Sequence, residues 1–409
     1  MNIAVLKFGG SSLKSIGRIR HVAGLLASRI DSSLDSGEAE KAVVVVSAMG
    51  DTTDYLLRQA RRCSNDPDRR ELDLLLATGE QIAVSLLAIT LKEMGIACRS
   101  LTGSQLGIAT DSCHTRASIL AVDSGRLREH LADNDVVIVA GFQGVDEKGE
   151  VTTLGRGGSD TTAAALACAL DVPVCEIYTD VDGVYSADPG LVRGARLWPA
   201  IGYQETLELA ESGAQVIHPR AVELASDYGV RLRVRNTFRP HLDGTLIGET
   251  EDMECKESFL AVAVSSRDVA FLFDGIPGNE SILDCLAGLS GSSGFLIRSV
   301  SGNRAILSLE DRESAPAIAF CLEQNSGARV QVDSSFARLS LVGRKLARSA
   351  GATSRLCQSL QAVGLTPGEL EVTDLRISCT IPLPDCDRAV LAVCRAFELD
   401  GGEDLPATA

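Results

Sequence analysis

The feature that most constrains this chain is a repeated three-part unit. A short, continuously apolar run is followed by a loop rich in glycine or hydroxyl residues, and then by apolar residues at helical spacing. Residues Ile3–Phe8 read as a buried strand ending in Gly9-Gly10-Ser11-Ser12, after which Ile19, Val22, Leu25, Leu26 and Ile30 recur at the period of a helix. Ala42–Ser47 is a second such strand, and Gly50-Asp51-Thr52-Thr53 opens a helical stretch around Leu56 and Leu57. Val136–Ala140 and Val174–Tyr178 repeat the pattern, with an Ala-rich helix, Asp160–Leu170, before the latter. A strand with one wet face alternates apolar and polar residues, and these do not. They are expected in a mainly parallel sheet covered by helices on both sides, an α/β fold. An aromatic content of only 4% suits such layers of small aliphatic side chains.

A chain of 409 residues exceeds one ordinary core, so two or three domains are expected. The character changes over residues 236–258, where Asn236, Pro240, Gly244, Gly248 and a cluster of acids punctuate the chain. Beyond it lie two similar stretches, with strands at Leu260–Val264 and Ala337–Val342, each followed by a glycine-containing turn, a helix and further strands. Two small α+β modules of βαββαβ type fit that doubling. The expected divisions are 1–247, 258–334 and 335–402, with Gly401–Ala409 as a frayed tail. A formal net charge of −16 argues against nucleic-acid and anionic-membrane partners. There is no basic leader before Lys7, and no run is expected to reach the roughly 18 apolar residues of a membrane span, so the location expected is cytoplasmic. The twelve cysteines are scattered without a CxxC pair and read as small buried hydrophobes.

Open α/β sheets gather ligands beyond the C-terminal ends of their strands, and four loops there carry polar residues. The first is Lys7-Phe8-Gly9-Gly10-Ser11-Ser12, whose glycines would admit a phosphate and whose ammonium would neutralise a transferring phosphoryl group. The GxxxxGK[ST] pattern is absent, and a plain turn with a solvated lysine reads equally well from these six residues. The second, Leu154-Gly155-Arg156-Gly157-Gly158-Ser159-Asp160, leads into a helix and makes an anion site, with Arg156 offering a planar fork for a carboxylate. Asp160 either caps that helix, which its position alone favours, or organises Lys7 and the phosphates. The third loop runs from Tyr178 to Pro189. An EF-hand would require Gly and Glu where Tyr185 and Leu191 stand, so a nucleotide loop with Mg²⁺ nearby is preferred, with an Asx-rich turn as the plain alternative. The fourth is Ala77-Thr78-Gly79-Glu80, where Glu80 either accepts an amino group or is simply solvated.

Taken together, KFGGSSL, VVSAMGDTTD, LLATGEQIA, LTGSQLGI, VAGFQGV, TLGRGGSDTTAAAL and EIYTDVDGVYSADP, in this order, resemble the aspartokinase branch of the amino-acid kinase family over roughly residues 1–250. The C-terminal third resembles that family's tandem ACT regulatory domains. The resemblance implies a three-layer αβα kinase domain holding MgATP and L-aspartate in one cleft, and a product feeding lysine, threonine and methionine synthesis. By motif, Lys7 and Asp160 are the catalytic pair, and Lys7, Gly9, Gly10 and Ser11 hold the phosphoryl groups. Ser47, Thr52, Glu80, Phe142, Arg156 and Ser159 would bind aspartate, with Arg156 on its α-carboxylate and Glu80 on its ammonium. Thr179, Asp180, Tyr185, Ser186, Asp188, Pro189 and Gln215 would line the nucleotide. No dedicated protein metal site is implied. A homodimer or larger assembly through the ACT modules, and an amino-acid effector on them, follow from the same resemblance.

Two nucleotide-side positions depart from the family pattern. Gly190 follows Ala187-Asp188-Pro189 where arginine is common, and Gln215 stands where lysine is common. Each lost charge-assisted contact corresponds to ~1.5–3 kcal/mol, so weaker nucleotide binding is expected unless Arg193, Arg196 or Arg220 substitutes. The regulatory part departs too. Gly275-Ile276-Pro277-Gly278 lacks the acidic first residue of a D-x-P-G turn, Arg298-Ser299-Val300-Ser301 occupies the effector segment, and Ser349-Ala350-Gly351 replaces an HPG turn. Weak or altered feedback by lysine or threonine is therefore expected. Two other functions compete with aspartate kinase. A kinase for another acidic amino acid is opposed by the unaltered Glu80 and Arg156. A catalytically silent ACT sensor or partner subunit is favoured by Gly190 and Gln215 and opposed by Lys7 and Asp160.

Overall fold

A computed structural model describes residues 2–35, 40–214, 216–249, 258–275, 278–289, 294–309 and 311–401. The chain divides into two compact units, and it passes between them more than once. The first holds Met1–Val184, Leu197–Leu207 and Gln215–Glu251; the second holds Tyr185–Arg196, Glu208–Ala214 and Asp252–Ala409.

The first unit is built on an eight-stranded sheet. Its spatial order is Ala200–Gly202, Thr245–Gly248, Arg231–Asn236, Val174–Thr179, Asn2–Phe8, Glu40–Val46, Val136–Ala140 and Cys98–Leu101. Neighbours run parallel except Arg231–Asn236 against Thr245–Gly248. The apolar runs read from the sequence are its central strands. In register, Lys7 lies between Val45 and Ile177, and Phe8 between Val46 and Tyr178. Because strand side chains alternate, Leu6 and Phe8 face one way and Lys7 the other. Leu6 and Phe8 pack into a core with helices Ile16–Asp35 and Thr78–Glu93. On the Lys7 side lies helix Gly158–Ala169, buried from Gly158 through Ala167 and packed on helix Pro219–Asp227. Its run of alanines and threonines lets it lie close to the sheet, and the result is the expected three-layer αβα arrangement.

A second sheet was not anticipated. Ile119–Val122, Ile108–Thr110, Gln143–Val145 and Val151–Thr153 are hydrogen-bonded in that order. Their lengths of three or four residues are too short for a period to be read. A further difference concerns Arg69–Glu93, which by length and composition alone reaches the hydropathy of a membrane span, contrary to expectation. It is two helices, Arg69–Leu76 and Thr78–Glu93, and half of that apolar window is buried within the protein.

The second unit contains two four-stranded antiparallel sheets with helices on them, in agreement with paired ACT-like modules. One sheet has the order Phe295–Ser301, Arg304–Leu309, Asp268–Asp274, Arg329–Asp333, and packs on helices Asn279–Ala287 and Ala315–Ser326. The other has the order Ser258–Ser265, Phe336–Arg344, Arg376–Pro382, Leu370–Val372, with helices Ala350–Ala362 and Cys386–Ala396. The expected end-to-end division at 334 and 335 therefore differs from the pairing. Ser258–Ser265, assigned to the first module, is an edge strand of the second, where Val262 lies opposite Leu341 and Val264 opposite Leu339. The first module is nested inside the second. Either sheet could accept a strand of this alternating pattern, so spacing did not reveal its partner. Residues 185–196 also differ from the 1–247 division, since Ala187 and Val192 are part of this second core.

Candidate functional site

Six strands of the main sheet run parallel to one another, and the loops after Asn2–Phe8, Glu40–Val46, Val136–Ala140 and Val174–Thr179 carry part of the expected site, the rest lying on the loop after Val151–Thr153 and on helix Thr78–Glu93. Lys7 Nζ lies 2.5 Å from Asp160 Oδ1, and both residues are buried, at 9% and 8% exposure. The solvated-lysine reading is thereby excluded. Asp160 sits in the first turn of helix Gly158–Ala169, and that helix start has no side-chain cap, so its carboxylate partners Lys7 instead of capping. A buried pair of this kind is costly unless each charge has its counterpart, and removing either would strand the other.

Of the two glycines beside this pair, Gly10 is a spatial requirement, whereas Gly9 leaves room for a small side chain. A Cβ at Gly9 would stand 3.4 Å from Lys7 Nζ, and one at Gly10 would stand 2.8 Å from the Ala48 carbonyl. Gly10 and Gly50 are tied by a backbone hydrogen bond, which brings the loop containing Gly9, Gly10 and Ser11 against the loop that begins at Ser47. The Ser11 carbonyl accepts from Arg18 Nη1. Ser47 N–H donates to the Phe8 carbonyl, and the Thr52 hydroxyl donates to Met49 O at 2.6 Å.

Glu80 is 3% exposed and lies in the first turn of its helix. Its Oε1 accepts from Ala48 N–H at 2.9 Å, while Oε2 is buried without a partner among the described residues. Burial pushes its carboxyl up to about 8, and the Ala48 hydrogen bond offsets only part of that. A buried carboxylate with one open oxygen is an incomplete site for a cation, and the solvated reading of Glu80 fails.

Phe142 adopts φ 69°, a left-handed conformation uncommon for a bulky side chain. Its N–H donates to Thr162 Oγ1 at 3.2 Å, the Thr162 hydroxyl in turn donates to Gly158 O at 2.8 Å, and the Phe142 carbonyl accepts from Leu154 N–H. The hydroxyl of Thr162, missed by sequence reasoning, thus joins the Phe142 loop to the glycine loop. Ser159 packs under Gly141, where a Cβ would come within 2.8 Å of it. In the same loop Gly155 and Gly157 have φ 78° and 70°, and a Cβ at Gly157 would fall 2.0 Å from His218 Cγ. Arg220 donates to the carbonyls of Leu154 and Ala117, at 2.5 and 3.0 Å. It braces this loop and is not the free cation that would replace Gln215. Arg156 is exposed. The contacts of Arg220, Gly155 and Gly157 hold the backbone on either side of it.

The nucleotide-side residues divide. Thr179 ends the central strand Val174–Thr179 and Asp180 follows it, and the Thr179 hydroxyl donates to Asp180 Oδ1 at 3.1 Å. Asp182 accepts from Asn236 Nδ2 at 2.7 Å and from Arg239 Nη1 at 2.9 Å, so it closes the loop. Among the described residues no group of three acids, histidines or cysteines is placed to hold a metal. Tyr185, Ser186, Asp188 and Pro189 belong to the second unit. Ser186 is fully buried, and its hydroxyl donates to Leu399 O at 2.6 Å and accepts from Arg196 N–H at 2.8 Å, so it is tied within the second unit. Asp188 Oδ1 accepts from Gly190 N–H at 2.8 Å, the Asx turn that was the plain reading of this stretch. Gln215 lies outside the described residues, as do Ile276 and Pro277 of the eroded turn. Arg298 in the effector segment donates to the carboxylate and carbonyl of Glu211, and Ser349 caps helix Ala350–Ala362 by accepting from Ala352 N–H.

Comparison with known proteins bears on this geometry. A profile of the amino acid kinase family matches residues 2–236. The chain is 40% identical to an aspartokinase of Geobacillus stearothermophilus over 98% of each chain. It is 39% identical to one from Thermus thermophilus, covering 98% of this chain and all of that protein. Among solved structures it resembles the fold of E. coli aspartokinase III crystallised with aspartate and ADP, with a TM-score of 0.77 at 22% identity over 97% of this chain and 100% of that one.

Proposed function

Since the chain belongs to the amino acid kinase family, and to the aspartokinases within it, we propose that its catalytic site is the edge built around Lys7 and Asp160. The enzyme is an aspartate kinase, moving a phosphoryl group from a nucleotide to the side-chain carboxylate of L-aspartate. The γ-phosphorus bond to the β-bridging oxygen breaks as a carboxylate oxygen bonds to phosphorus, leaving ADP and 4-phospho-L-aspartate. That carboxylate is ionised at neutral pH, so no general base is required. Positioning and charge neutralisation carry the reaction.

The observation that carries the assignment is the buried Lys7–Asp160 pair beside Gly9 and Gly10. Lys7 takes charge from the transferring phosphoryl group and Asp160 holds the ammonium in place. The glycine cradle fits a triphosphate. Mg²⁺ would arrive on the phosphates, where it neutralises charge, since it commonly binds through one or two carboxylates plus substrate oxygens. Glu80, with its open Oε2, takes the aspartate ammonium; Arg156 takes the α-carboxylate; Ser47, Thr52, the Phe142 backbone and Ser159 complete the pocket. Such chemistry belongs in the cytoplasm, where ATP and aspartate are held. The ACT-like modules pair chains into a homo-oligomer and answer weakly to lysine and threonine. Arg298 tied to Glu211 and Ser349 tied to a helix start support that reading.

The test is aspartyl hydroxamate formation from L-aspartate, Mg²⁺ and ATP over a wide ATP range, with L-glutamate as control acceptor and with and without lysine and threonine. Product from aspartate alone is expected, at a raised ATP requirement. Folded protein that gives no product at any ATP level would refute the assignment.

A further inference from the structure

Two buried polar side chains stand outside the site described above. Asp73, on helix Arg69–Leu76, has no exposure at all. Its carboxylate accepts from Thr115 N–H at 3.0 Å, from His114 Nδ1 at 2.8 Å and from the Thr153 hydroxyl. A carboxylate only accepts, so Nδ1 of His114 carries its hydrogen. Burying a charge this completely is tolerated only where donors converge on it, and here they come from two separate segments. Thr115 is β-branched yet sits at φ 72°, a conformation held by its N–H on Asp73, and its carbonyl backs Gly155, where a Cβ would stand 3.1 Å away. The second side chain is Gln143, 2% exposed, whose Nε2 donates to Ala77 O at 2.9 Å.

Both anchors join the same two parts. Helix Arg69–Leu76 continues through Ala77 into the helix whose first turn carries Glu80. Thr153 ends the strand that runs into Leu154-Gly155-Arg156, and Gln143 follows Phe142 directly. We infer that Asp73, seconded by Gln143, is a positioning residue for aspartate recognition: it sets the spacing between Glu80 and the loop of Arg156. This rests on the reading that Glu80 and Arg156 bind the amino acid. An apolar replacement would orphan the Thr115 N–H and the Thr153 hydroxyl, and Asn would bring an NH₂ group among converging donors.

The experiment is steady-state kinetics with both substrates on wild type, Asp73→Asn, Thr153→Val and Thr153→Ser, with Glu80→Gln and Arg156→Ala alongside. Asp73→Asn is expected to raise KM for aspartate about 10- to 100-fold while KM for ATP stays within about twofold, since the brace acts on the amino-acid side. Thr153→Val should follow in the same direction and Thr153→Ser should restore the wild-type value. Unchanged aspartate KM in folded Asp73→Asn, or equal rises for both substrates, overturns the inference. If that variant does not fold, the Thr153 pair decides, and equal aspartate KM in Val and Ser overturns it. Failure of the underlying reading looks different: Glu80→Gln and Arg156→Ala would then leave aspartate KM unaltered.

Discussion

Replacing Glu80 by Gln isolates what one buried carboxyl does to stability and to substrate binding. In the folded protein burial pushes its pKa up to about 8, against the 4.5 ordinary for a solvated glutamate. Between those limits the native state keeps a proton that the unfolded chain has released, so stability falls as pH rises through the window and levels off above about 8. The slope is about 1.36 kcal/mol per pH unit, so between pH 6 and pH 8 the wild type is expected to lose about 2–3 kcal/mol relative to Glu80→Gln, which is isosteric and never charges. Denaturant titrations of both proteins at pH 6, 7 and 8 read this difference directly. Binding reports the same group from the other side. An ammonium beside Oε2 favours the ionised form, so aspartate binding at pH 7 should release close to one proton from Glu80. Calorimetry in buffers of different ionisation enthalpy measures it, and in Glu80→Gln that proton should vanish while KM for aspartate rises about 10- to 100-fold. Parallel stability curves for the two proteins, together with an undiminished proton release in the variant, would refute the reasoning.

Three further outcomes follow from the geometry. Lys7→Ala should lower kcat by at least about 10²–10³-fold in the hydroxamate assay, as expected for loss of a group that meets developing charge, while Asp160→Asn should lower kcat less and also lower the denaturation midpoint by uncoupling the buried ammonium. Gly157→Ala places a methyl in the ring of His218 at a left-handed position, and a loss of about 2–4 kcal/mol is expected by chemical denaturation. Gly190 is exposed and its added Cβ would meet only Asp188 Oδ1, at 3.1 Å, so Gly190→Arg should fold normally and lower KM for ATP about tenfold, as measured by ATP titration at saturating aspartate.

Features encoded over a few consecutive residues were legible in the sequence. The central strands announced themselves as apolar runs, and Lys7, Gly9, Gly10, Glu80 and Asp160 lie in motifs whose chemistry is local. What stayed hidden depends on partners far along the chain. Asp73 and His114 are 41 positions apart, and neither is unusual in its own surroundings. Ser186 sits in a polar loop, and its hydroxyl is claimed by Leu399, 213 residues later. The choice between capping and pairing for Asp160 turned on the same kind of information: its position in a helix start is local, whereas Lys7 is brought to it by the sheet. The short strands of the second sheet carry too few residues for any period to stand out.

The nesting of one regulatory sheet within the other has a consequence for how the protein is made. Ser258–Ser265 leaves the ribosome long before its partner Phe336–Arg344, and the whole of the intervening module emerges first. That inner module can close on its own residues as soon as Arg329–Asp333 is out, whereas the outer one must hold an unpaired apolar strand in waiting. Synthesis therefore imposes an order, inner before outer, and a chain cut short just after Asp333 would carry a complete inner module while Ser258–Ser265 kept an open, adhesive edge.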